Sequence, residues 1–89
     1  MAIPWHEWFD RWEAMQDAYV PERKHRFDVI LEILAKATDR TLYVLDLGSG
    51  PGSVALHMAT KRPGTAVLAL DSNEVLLEMG RAIAEQRVA

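Results

Sequence analysis

The sequence predicts an α/β fold in which two parallel strands alternate with helices, about four helices in all, behind an N-terminal helical extension. Three observations carry that prediction. Two short segments, Leu42 to Leu47 and Ala66 to Leu70, are apolar and rich in strand formers. Each is followed by a stretch whose apolar residues return every three or four positions, the period of a helix packed on one face. The first strand also runs straight into Gly48-Ser49-Gly50-Pro51-Gly52, which cannot continue it. Alternating strand and helix implies parallel strands joined by right-handed crossovers.

From the N-terminus, Trp5, Trp8, Phe9, Trp12, Met15 and Tyr19 form one stripe of an amphipathic helix that holds all three tryptophans. Stripes at this spacing are usually core, so packing is expected of them. Pro21 interrupts the pattern and suits the first turn of a second helix. There Phe27, Ile30, Leu31 and Leu34 repeat the spacing before the polar turn Thr38-Asp39-Arg40-Thr41. We therefore divide the chain into an N-terminal helical segment, residues 1–40, and a partial strand-helix unit, residues 41–89, within one compact domain. The third helix spans about Ser53 to Arg62, with Lys61 and Arg62 at its negative end and Pro63-Gly64 stopping it. The second strand, apolar on both sides, is expected to be buried on both faces. The last helix begins near Ser72 or Asn73, either able to cap it, with Val75, Leu76, Met79 and Ile83 inward.

Composition excludes several function classes. A net charge of −3 disfavours a nucleic-acid surface, which needs a clustered positive field. The absence of cysteine removes disulfides, thiolate nucleophiles and cysteine-ligated zinc. His6, His25 and His57 are scattered with no ligand spacing or carboxylate pairing, so no metal site and no catalytic triad is expected. No apolar run approaches the roughly 20 residues that cross a bilayer, and the first residues lack the pattern of a signal peptide, so a cytoplasmic protein without membrane contact is expected. Arg23-Lys24-His25-Arg26 opposes the dipole at the start of the second helix, with Asp17, Glu22 and Asp28 close enough to compensate, and reads as a solvated face.

The glycine cluster carries the chemistry. It lies at the carboxyl end of the first strand, where open α/β sheets bind their ligands. Gly48, Gly50 and Gly52 let the backbone turn sharply and a ligand approach closely, and the helix behind offers unpaired N–H groups to an anion. Nineteen residues after Gly52, at the end of the second strand, Asp71 is placed to accept both hydroxyls of a ribose. A ligand bearing a nucleoside satisfies both features.

Val44-Leu45-Asp46-Leu47-Gly48-Ser49-Gly50-Pro51-Gly52 resembles motif I of class I S-adenosylmethionine-dependent methyltransferases, an acid two residues before G-x-G-x-G, whereas dinucleotide dehydrogenases usually show G-x-G-x-x-G. Ala69-Leu70-Asp71-Ser72-Asn73-Glu74 resembles the next motif, and the likeness covers about Tyr43 to Gln86. The resemblance implies a Rossmann-like fold of which this chain is the N-terminal, cofactor-binding half. It implies that Gly48, Ser49, Gly50, Pro51 and Gly52 pass under the methionine part of the cofactor and that Asp46 faces its amino group. It further implies that Asp71 holds the ribose, with Ser72 and Asn73 flanking the adenine. The charges agree: S-adenosylmethionine offers a carboxylate to the helix end and an ammonium to Asp46, which would repel a pyrophosphate. Asp46 also has a structural alternative, bonding the N–H groups of the glycine loop itself. In the family an N-terminal helical segment often covers the cofactor, which leaves Tyr19 and Arg23 as candidate contacts. The catalytic residues and the methyl acceptor are not identified, because in the family they lie on later strands. Two other readings stand beside this one: the dinucleotide-binding half of an oxidoreductase, and a non-catalytic, self-associating α/β fragment. A sheet of two strands with helices on one side leaves an apolar face and an edge bare, so a homodimer is expected.

Overall fold

The computed structural model describes residues 2–88. Its elements follow the order α1 (Trp5–Tyr19), α2 (Arg23–Ala37), β1 (Tyr43–Leu47), α3 (Ser53–Lys61), β2 (Ala66–Leu70) and α4 (Glu74–Arg87). The two strands pair in parallel, in a register from Tyr43 beside Ala66 to Leu47 beside Leu70. This is the α/β, Rossmann-like arrangement with a helical N-terminal extension that the sequence predicts.

The main core joins the two ends of the chain. Phe9 of α1 meets Met79 and Ile83 of α4, with Trp5, Leu56 and Leu76 packed around them. A smaller contact seats α2 on α3, where the Phe27 ring meets the His57 imidazole edge-on at 5.5 Å. His57 Nε2 lies 2.6 Å from Asp28 Oδ1, so this histidine does have a carboxylate partner, contrary to the sequence expectation. The pairing spans twenty-nine positions of sequence, which no local spacing rule detects.

Side-chain exposure corrects three other expectations. The α1 stripe is wider than its core contact: Phe9 is buried and Trp5 and Trp12 half-buried, while Trp8, Met15 and Tyr19 face outward. Val75 lies on the exposed side of α4, and Ile30 on that of α2. Parallel strands are also not buried on both faces here. Val44, Asp46, Val67 and Ala69 turn toward the helices, whereas Tyr43, Leu45, Leu47, Leu68 and Leu70 make a bare apolar face with Leu47 73% exposed. Period-two alternation makes one face uniform, and this sheet has helices only on the other.

The chain reverses between α1 and α2 through Val20, Pro21 and Glu22, and Glu22 takes the left-handed conformation with φ of 54°. The second helix therefore starts at Arg23, two residues after the proline. Asn73 caps α4 by accepting from the Leu76 N–H at 3.1 Å, which settles the choice left open between Ser72 and Asn73.

Candidate functional site

The glycine turn is shaped by the end of the neighbouring strand. The N–H groups of Gly48 and Ser49 both donate to the Leu70 carbonyl, at 2.8 and 3.0 Å. The Gly50 N–H donates to Asp71 Oδ2 at 2.8 Å, and the Asn73 N–H donates to Asp71 Oδ1 at 2.8 Å. Gly48, Gly50 and Gly52 all have positive φ, 69°, 58° and 81°, which side-chain-bearing residues rarely adopt. Three such residues in five carry the chain from β1 into α3, and like every helix start α3 leaves its first N–H groups without intrahelical partners.

Asp46 and Asp71 stand in opposite states. Asp71 is surface-placed, and the Asn73 and Gly50 N–H groups hold its carboxyl below the usual carboxylate range. A carboxylate has about four acceptor positions, so two remain for further donors. Asp46 sits on the helix side of β1, two residues before Gly48. Its Oδ2 is buried with no hydrogen-bond partner, and burial pushes its pKa up. The N–H groups of Gly48, Ser49 and Gly50 go to Leu70 and Asp71 and that of Gly52 to the Ser49 carbonyl, so the alternative in which Asp46 ties down the glycine loop is not what the fold adopts.

The remaining sequence candidates gather at the same end of the sheet. Gly48, Leu70, Asp71 and Ser72 line an open concavity of about 420 Å³. Ser72 is exposed there, while the Asn73 side chain is engaged as the cap of α4. Ser49, Pro51 and Gly52 complete the turn, Pro51 and Gly52 being buried beneath it. A second hollow of about 440 Å³ opens between α3 and α4, lined among others by Ala55, Ala59, Val67 and Ala84. It reaches the underside of the turn at Pro51 and also borders Thr65 and Arg81, but it includes neither Asp46 nor Asp71. Among the described residues no cluster of histidine and acidic side chains forms a metal site, and no helix is long and apolar enough to cross a membrane.

Three features of this region escape the sequence reading. A Cβ on Gly50 would lie 3.6 Å from Trp12 Cζ2 and 4.0 Å from Leu76 Cδ1, so both α1 and α4 close against the turn. Gly80 of α4 touches its underside: a Cβ there would come within 2.5 Å of the Pro51 carbonyl oxygen. Arg23, assigned from the sequence to a solvated face, is only 7% exposed. Its Nη1 and Nη2 donate to Glu13 at 2.9 and 3.1 Å, and Nη1 also donates to Asp17 at 3.1 Å. Lys24 Nζ donates to Glu13 at 2.6 Å, and so does the Ser53 hydroxyl. Burial acts to raise the Glu13 pKa, but the bonds from Arg23, Lys24 and Ser53 outweigh it and hold the value down to about 2. The compensating acid is thus chiefly Glu13, ten positions before Arg23 and invisible to helix-spacing rules.

Comparison with known proteins gives a consistent chemistry. No protein-family model matches the chain. It is 34% identical over 73 residues to the trans-aconitate 2-methyltransferase of Mycobacterium tuberculosis, covering 81% of this chain and 27% of that protein. It is 36% identical over 55 residues to the release factor glutamine methyltransferase of Streptococcus pneumoniae, covering 62% and 20%. It is 33% identical over 63 residues to the malonyl-[acyl-carrier protein] O-methyltransferase of Geobacter sulfurreducens, covering 71% and 24%. The chain spans about a quarter of the length of these curated relatives, whose acceptors differ while the reaction in their names is the same.

Proposed function

We propose, from its kinship with class I methyltransferases, that this chain carries the S-adenosylmethionine site of such an enzyme, in which the whole protein transfers the methyl group. The observation that carries the reading is the buried, unpartnered Oδ2 of Asp46 two residues before the glycine turn. A buried carboxylate oxygen without a donor is costly, and an ammonium supplies the missing partner. A pyrophosphate would make matters worse, which counts against the dinucleotide reading.

The other groups fit the same cofactor. Asp71 retains acceptor positions for the two ribose hydroxyls while its backbone bonds hold it beside Gly50. The first turn of α3 faces the turn with its positive end, suited to the methionine carboxylate. Ser72, exposed beside Asp71 in the same concavity, is available to flank the adenine as the resemblance implies. When bound, the cofactor supplies an activated methyl group on a sulfonium. The part of this chain is to hold that group in a fixed direction, which is catalysis by proximity and orientation. None of the residues described is assigned the role of a general base.

Calorimetric titration with S-adenosylhomocysteine, the product form, and separately with NAD tests the reading. Heat with the first and none with the second is expected. A ligand at a hundred times its Kd adds ~2.7 kcal/mol, and melting should rise by several degrees. A folded protein whose melting curve ignores millimolar S-adenosylhomocysteine refutes the site. Heat with NAD alone favours the oxidoreductase reading, and silence with both favours a non-catalytic fragment.

A further inference from the structure

We propose that Glu13 is a positioning residue: it fastens the α1 and α2 hairpin to the first residue of α3, and thereby keeps the Trp12 indole against Gly50 as the outer wall of the cofactor site. The inference rests on the function proposed above for that site. Glu13 gathers donors from two other elements, Arg23 and Lys24 from α2 and the Ser53 hydroxyl from α3. Its side chain is 15% exposed and that of Arg23 is 7% exposed, so the cluster is largely withdrawn from solvent. Trp12 precedes Glu13 on the same helix, and fixing the backbone at Glu13 fixes the direction of the indole.

The hairpin has other anchors besides this cluster. Phe9 anchors α1 to Met79 and Ile83 of α4, and Phe27 anchors α2 to His57 of α3. Beyond the clamp, Met15 and Tyr19 are exposed, so the carboxyl-terminal half of α1 has little apolar contact of its own. A buried ion pair adds little net stability relative to apolar side chains of the same volume, although removing one partner is costly; what it adds is fixed geometry. Here the geometry fixed is the approach of an aromatic ring to the central glycine of the turn. Glu13 itself makes no contact with the ligand in this arrangement.

The test uses the protein with Trp5→Phe and Trp8→Phe, which leaves Trp12 as its single tryptophan reporter. In that parent, S-adenosylhomocysteine should change the Trp12 emission. Adding Glu13→Gln should shift the ligand-free emission to the red and weaken binding by about tenfold, the effect of leaving the indole in its binding arrangement about one-tenth of the time. Because Glu13→Gln leaves Arg23 short of a partner and lowers stability, Ser53→Ala serves as the second variant. It cuts only the link to α3, and should give the same red shift and a smaller loss of affinity with melting nearly unchanged. A merely structural role would lower melting and leave both the emission and the affinity of the folded protein as they were, which would overturn the proposal. A parent that gives no heat with S-adenosylhomocysteine overturns the site itself, whereas a parent that binds, with both variants binding as tightly, overturns the positioning role alone.

Discussion

Replacing Asp46 by asparagine should move stability and affinity in opposite directions. Burial raises the Asp46 pKa in the folded chain. A carboxyl whose pKa is higher folded than unfolded favours folding while it is protonated, and loses that contribution as pH rises through its folded value. At neutral pH the ionised group is therefore a burden, and its buried Oδ2 has no donor to relieve it. An unsatisfied buried group costs about 1–3 kcal/mol, and Asp46 is only half-buried, so the relief from Asp46→Asn should be about 1 kcal/mol or less. The gain should vanish in acid, where the carboxyl is neutral in both states. Binding should suffer instead: a charge-assisted bond to an ammonium contributes about 1.5–3 kcal/mol, so S-adenosylhomocysteine should bind about 10- to 150-fold more weakly. Denaturant titration at pH 7 and pH 3 measures the first effect and calorimetry the second. An Asp46→Asn protein that is less stable at pH 7 and binds unchanged would refute the reasoning on both counts.

Gly80→Ala places a Cβ 2.5 Å from the Pro51 carbonyl oxygen and 2.9 Å from its carbon, so backbone must shift, and a loss of about 1–3 kcal/mol is expected in denaturant titration. An alanine variant as stable as the parent would mean that α4 does not rest on the turn. The lowered pKa of Glu13 gives stability that is complete above its unfolded value of 4.5 and is lost as pH falls toward about 2. At 1.36 kcal/mol per unit that is at most about 3 kcal/mol, and stability measured between pH 5 and 2 should fall less steeply in Glu13→Gln. The bare sheet face, with Tyr43 83% and Leu68 61% exposed, is expected to draw two copies together in the isolated chain. Sedimentation showing a monodisperse 10.0 kDa monomer at high micromolar concentration would refute that association.

Local pattern made the architecture legible. Strand β2 has the bounds its apolar run predicts, and β1, α1 and α3 agree to within a residue, because period, proline and glycine act over a few positions. The glycines of the turn are legible for the same reason, since a strand followed by three alternate glycines admits few conformations. What lay hidden depends on distant partners. Arg23 looks solvated until Glu13, on another helix, is brought to it. Gly80 looks like an incidental helix glycine until Pro51 rests against it. Trp12 belongs to a stripe that reads uniformly as core, and the structure divides that stripe into buried, turn-facing and solvent-facing members. His57 shows the same limit, since its pairing with Asp28 requires α2 and α3 to be already docked.

The hydrogen bonds of the glycine turn have a consequence for biosynthesis. Gly48, Ser49 and Gly50 are held by Leu70 and Asp71, some twenty positions downstream. A nascent chain halted on the ribosome between Gly52 and Leu70 holds every glycine of the motif but lacks the acceptors that hold Gly48, Ser49 and Gly50. The turn at that stage is an open loop, free in the positive-φ range that glycine allows. Only when β2 emerges and pairs with β1 can the Leu70 carbonyl and the Asp71 carboxylate hold Gly48, Ser49 and Gly50 in the folded turn. The pairing of the two strands and the shaping of the turn are therefore completed by the same few atoms.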